Sequence, residues 1–128
     1  MRYLMLIKVG SGMAPANDAL MEAIDKFVDK LKRGGQMVDT GGLQARESGT
    51  MMGLNHGKVS VTEGPFTEAN EIIGGFIIVE VKDKPEALGI AREFLDMHAK
   101  AMGTGYAAEV EVRQMYLPDP EGPKTRES

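Results

Sequence analysis

A chain of 128 residues has room for one domain and not for two. A hydrophobic fraction of 42% with a charged fraction of 27% excludes a disordered or collagen-like body. The absence of cysteine excludes disulfide frameworks and thiolate chemistry, and a net charge of −4 lacks the positive footprint that nucleic-acid backbones demand.

The apolar run that opens the chain, Leu4 to Ile7, is too short for a secretory h-region. No stretch approaches the ~18 apolar residues of a membrane helix. A cytoplasmic location with no membrane partner is therefore expected.

Taken in chain order, Arg2–Val9 reads as a strand with apolar residues on both faces, which places it in the middle of a sheet. After Gly10-Ser11-Gly12, a helix is expected from Pro15 or Asn17 to Arg33. Its stripe is Ala16, Leu20, Ala23, Ile24, Phe27, Val28 and Leu31. Lys30, Lys32 and Arg33 complement the helix dipole, and Gly34-Gly35 supplies a left-handed stop. Gln36–Leu43 reads as a second strand interrupted by Gly41-Gly42. Thr50–Thr62 reads as two short strands folded over Asn55-His56-Gly57.

Gly75–Val81 is again apolar on both faces, and so central. Asp83-Lys84-Pro85-Glu86 opens a second helix as a capping box, with the stripe Ala87, Ile90, Ala91, Phe94 and His98. Gly103 and Gly105 end it. Glu109–Tyr116 alternates as a one-sided strand, and residues 118–128 form a polar, proline-containing tail. The order β-α-β-(hairpin)-β-α-β predicts an α+β, ferredoxin-like βαββαβ fold with an inserted β-hairpin. Both helices should cover one sheet face. The other face of the central strands then needs a cover, for which a second copy of the sheet is the simplest choice, giving a homodimer. A small-molecule cleft is expected to share that space.

The segment Val61-Thr62-Glu63-Gly64-Pro65-Phe66-Thr67-Glu68-Ala69-Asn70-Glu71-Ile72-Ile73-Gly74-Gly75-Phe76 resembles the signature of the YCII-related, DGPF-domain family, V-T-D-G-P-F-x-E-x-K-E-x-x-G-G-F/Y. The resemblance extends to Met1–Leu6, Gly41-Gly42-Leu43 and Glu109–Arg113, and so assigns residues 1–117 to such a domain. Glu63 stands where the family usually has aspartate, and Asn70 where it often has lysine. What the resemblance implies is a dimeric α+β barrel. It also implies an association with sigma factors, because some members are encoded beside extracytoplasmic-function sigma factors.

Candidate site residues follow from chemistry. Glu63, Glu68 and Glu71 crowd beside a glycine-proline turn, where mutual repulsion can raise a carboxyl pKa for acid–base work; a solvated acidic loop is the alternative. Phe66 either plugs the core or faces a ligand. His98 lies on the inward stripe near a helix C-terminus, as a general base or as a satisfied helix-end residue. Arg113 can anchor a ligand anion or pair with Glu109 or Glu111, and Asp39 can reach the cleft. His98, Glu63 and Glu68 are thus the catalytic candidates, with Arg113, Asp39, Phe66 and Glu71 as ligand contacts. Two distant histidines without H-x-x-x-H spacing predict no metal, and no dinucleotide fingerprint or nucleophile elbow predicts a cofactor or an acyl-enzyme. Two functions follow: proton-transfer or isomerase chemistry on a small molecule, or a non-catalytic accessory or sensor protein.

Overall fold

A computed structural model describes residues 1–10, 13–64 and 71–117, with the backbone alone at residues 71 and 72. The chain runs β1 (Arg2–Gly10), α1 (Asp18–Arg33), β2 (Met37–Gly42), a 3₁₀ turn (Arg46–Ser48), β3 (Thr50–Asn55), β4 (Lys58–Glu63), β5 (Glu71–Glu80), α2 (Lys84–Met102) and β6 (Ala108–Gln114). Four strands form one antiparallel sheet in the order β2-β5-β1-β6, and β3 pairs only with β4 in a second, two-stranded sheet. The molecule is α+β, and this strand order is compatible with a ferredoxin-like fold. The expected tail, residues 118–128, lies outside the described residues.

Each helix is bounded by the residues that its sequence marks. The Asn17 side chain accepts from the Leu20 amide at 2.8 Å, so α1 begins after Asn17 and leaves Ala16 exposed. At its other end the left-handed residue is Gly35, with φ of 74°, and the Gln36 amide returns to the Leu31 carbonyl at 2.9 Å. Asp83 caps the Glu86 amide at 3.0 Å, while the Glu86 carboxylate reaches back to the amide of Lys82. The hydrogen bond from the Lys82 amide, with another from Gln36, holds the Glu86 carboxyl below its ordinary pKa.

Both helices cover one face of the sheet. Tyr3 and Met5 from β1 and Ile77 and Val79 from β5 meet Phe27 and Leu31 from α1 and Ile90, Ala91 and Phe94 from α2. The alternating residues Leu4, Leu6, Phe76 and Ile78 point to the opposite face and are only half-buried. Among the described residues, the buried core thus lies on one side of the central strands.

Two strand expectations change. Gly41 and Gly42 do not interrupt β2, because they pair with Phe76 and Gly75 in register. β5 starts four residues earlier than its dense apolar run and carries a bulge opposite Ile7 and Lys8, which places Gly74 off the ladder with β1. The His56-Gly57 turn joins β3 to β4 with both φ positive, at 52° and 78°, as a tight hairpin twist requires. Gly64 needs no positive φ. A Cβ there would lie 2.4 Å from the Glu47 carbonyl oxygen, so close backbone approach is what demands glycine.

On the open face, Glu111 accepts from Lys8 at 2.8 Å and also pairs with Arg113. Those two cations pull its pKa from 4.5 to about 2. A depressed carboxyl stabilises the fold above its unfolded value and loses that contribution as the solution is acidified. Melting curves should therefore show the wild type ahead of Glu111→Gln at neutral pH. The gap should shrink from pH 4.5 downward and close near pH 2.

Candidate functional site

The glycines that interrupt the apolar pattern of β2 and β5 lie side by side in the sheet. Gly42 pairs with Gly75, and Gly75 pairs with Ile7, so all three occupy the helix-facing side. The missing side chains at Gly42 and Gly75 leave the sheet bare beneath α1, and a cavity of about 600 Å³, lined also by Gly41 and Gly74, opens there. Its floor continues through Ile7, Val9, Thr40 and Ile77, and its roof is Leu20, Ile24 and Val28 of α1. Asp25, Asp29 and Lys32, one to two turns apart on α1, supply its charged groups. The volume falls in the range of small-molecule sites.

The end wall comes from α2 and the loop beyond it. Phe94, His98 and Tyr106 line it, with the His98 ring 4.5 Å from Phe94 and stacked on Tyr106 at 5.9 Å. His98 is only 6% exposed. Its Nδ1 lies 2.8 Å from the Phe94 carbonyl oxygen, an acceptor that carries no proton. In the neutral ring the proton must then sit on Nδ1, which donates to that carbonyl and leaves Nε2 as the acceptor. Burial pushes the Tyr106 hydroxyl above its ordinary pKa, so it stays protonated and able to donate. The Thr40 hydroxyl, on the floor, donates to the Phe76 carbonyl at 2.9 Å.

Of the residues singled out from sequence, His98 is the one that lines this cavity among the described residues. Glu63 lies exposed on β4, accepting from the Thr50 hydroxyl at 2.8 Å. Asp39 is exposed on the edge strand and accepts from the Thr40 amide at 2.8 Å. Arg113 is on the opposite sheet face with Glu111. The fold does not bring these three to His98. Phe66 and Glu68 lie outside the described residues, as does the side chain of Glu71. Among the described residues no group of three or more His, Asp or Glu is placed to hold a metal, and no helix is long and apolar enough to cross a membrane.

The cavity also departs from expectation in its location. The sequence pattern predicts a cleft on the face opposite the helices, whereas this cavity lies on the helix side, where Gly42 and Gly75 remove bulk from the surface. Tyr106 had no sequence signal, lying in a glycine-flanked loop. The paired glycines were visible in the sequence, although their adjacency was not.

The YCII-related domain matches residues 1–116, which include every element just described. The chain belongs to the YCII-related family. No curated protein matches it closely enough to count as a relative. In this YCII-related domain Gly74 and Gly75 have a concrete structural use, as part of the cavity lining.

Proposed function

We propose that this YCII-related domain binds a small, mainly apolar molecule in the cavity beneath α1 and moves a proton on it. The observation that carries the reading is His98, buried in the cavity wall with Nδ1 committed to a backbone carbonyl and Nε2 left as acceptor. Such a nitrogen takes a proton from a ligand hydroxyl or an activated C–H, and Tyr106 beside it can donate one back. That pair suits a proton shift within one molecule, which is isomerisation. Glu63 and Arg113 are unneeded for it.

Thermal-shift screening of a metabolite library identifies the ligand, since binding to the native state alone raises the melting temperature. His98→Asn should abolish turnover or binding with a stability change within about 1 kcal/mol. A variant that melts lower yet binds and turns over normally would make His98 a structural helix-end residue. Binding without turnover in the wild type would make the domain a sensor.

We also propose that the ferredoxin-like domain carries β3–β4 as an insert and works as a two-fold dimer, the second copy covering Leu4, Leu6, Phe76 and Ile78. Support comes from the apolar side chains on that face, which are half-buried and lie outside the buried core cluster.

A further inference from the structure

The roof of the cavity is one helical ridge. Leu20, Ile24 and Val28 follow one another at four-residue steps along α1, and the next residue of that row is Lys32, which also lines the cavity. A helical side chain leaves its Cα tilted toward the helix N-terminus, so the Lys32 stem runs back over Val28 and carries its ammonium toward the cavity. Asp25 and Asp29 belong to the neighbouring row, which continues to the exposed Arg33.

The charges on this side of α1 are not equally committed. Asp29 pairs with Arg33, and Lys30, outside the lining, pairs with Glu93. Among the described residues neither Lys32 nor Asp25 has an ion pair. The two ends of the ridge also differ. Asn17, which caps α1, donates from Nδ2 to the Ala101 carbonyl at 2.9 Å, so the last turn of α2 sits at the first turn of α1. His98, one turn before Ala101, therefore stands at the Leu20 end. Lys32 begins at the other end, about 18 Å further along the helix axis.

We propose that the ligand is an amphipathic carboxylic acid, bound with its carboxylate on Lys32 and its apolar body reaching along the glycine floor to His98. This rests on the cavity reading above and names the substrate class. The uncommitted cation lies in the roof row, so an anionic head satisfies it without leaving the cavity. A cationic head meets Asp25 only from the outer row and leaves the Lys32 ammonium unbalanced over the apolar body. A carboxylate suits the mouth better than a phosphate monoester, because the second phosphate charge would be set against Asp25. The far end of the ligand must be neutral, since His98 Nε2 accepts a proton there and no lining cation stands beside it. The proton that moves thus lies on the apolar part of the molecule, remote from the acid group.

Calorimetric titration at low ionic strength, with octanoate, octanol and octylamine as probes, tests the head group. Octanoate should bind the wild type about fivefold or more tighter than octanol, with octylamine weakest, and added salt should narrow the margin. Lys32→Ala should bring octanoate down to octanol, and Lys32→Glu should reverse the order in favour of octylamine. Lys30→Ala should bind octanoate like the wild type, and Gly42→Leu should lose octanoate and octanol together. The wild-type order decides the sign of the head group whatever the stability of the variants. Equal affinity for octanoate and octanol, or an unaffected Lys32→Ala, overturns the acid site and leaves the cavity standing. Octylamine as the tightest probe overturns it in favour of Asp25, and octyl phosphate binding above octanoate overturns the carboxylate. Absence of any binding that Gly42→Leu removes overturns the cavity reading as well. Should octanoate bind as expected while His98→Asn turns over a screened ligand normally, the proton transfer falls and the acid site stands.

Discussion

Phe94→Ala should cost the domain about 3–5 kcal/mol, the largest loss expected from any single truncation of this cavity wall. Phe94 is 4% exposed and touches both structural and functional neighbours: its ring lies 5.4 Å from Phe27 across the α1–α2 contact and 4.5 Å from His98. Removing it creates a void on one side and withdraws a wall of the existing cavity on the other. α1 and α2 are anchored to different strands, so neither can collapse far enough to fill the space. Urea unfolding should show a lower midpoint with an unchanged slope, as expected when stability falls without a change in the surface exposed. A loss below about 1 kcal/mol would mean that the helices do close over the gap. His98 would then have lost the packing that fixes its ring.

Gly75→Ala should destabilise by about 1–3 kcal/mol, although only one methyl group is added. A Cβ at Gly75 would stand 2.8 Å from the Gly41 carbonyl oxygen and 3.5 Å from the Gly42 Cα, and both are backbone. Backbone in a paired strand cannot swing aside as a side chain can, so β2 must shift away from β5. Gly42→Ala is the matched control. It lies directly across the ladder on the same floor, yet its Cβ would meet nothing within 4 Å. Alanine there should leave stability unchanged or raise it by about 0.4–1 kcal/mol through the unfolded chain. Leucine at the same position should fill the cavity and block ligand binding while the protein still melts like the wild type. Thermal melts of the three variants separate the roles. Equal melting of Gly75→Ala and Gly42→Ala would refute the close approach.

The open side of the same sheet shows a complementary device. Phe76 lies across Gly41, where a Cβ would come within 2.9 Å of its ring. One glycine pair thus opens a cavity on one face and seats an aromatic ring on the other. Alternation along the strand makes that division unavoidable.

Much of the fold was legible in the sequence because it depends on neighbours in the chain. The stripe Leu20, Phe27 and Leu31 repeats with helical period, Asn17 and Asp83 are side chains that cap amides three residues on, and His56-Gly57 tolerates the positive φ of a tight turn. Apolar residues on both faces of β1 and β5 placed those strands at the sheet centre, where the order β2-β5-β1-β6 puts them. His98 was likewise found by counting turns from Phe94. These are local rules, and a local reading suffices for them.

The site as a whole depended on tertiary structure. Gly42 and Gly75 form one floor only because β2 and β5 pair in one register, and a one-residue slip of β2 would turn Gly42 to the other face. Tyr106 meets His98 through the path of a loop that no periodicity constrains. Glu63 was close in sequence to the glycine-rich signature, yet a hairpin that pairs only with itself holds it on β4, away from the cavity lining. Sequence proximity marks what a segment can build. Strand register, summed over many cross-strand contacts, decides which of those residues share a surface.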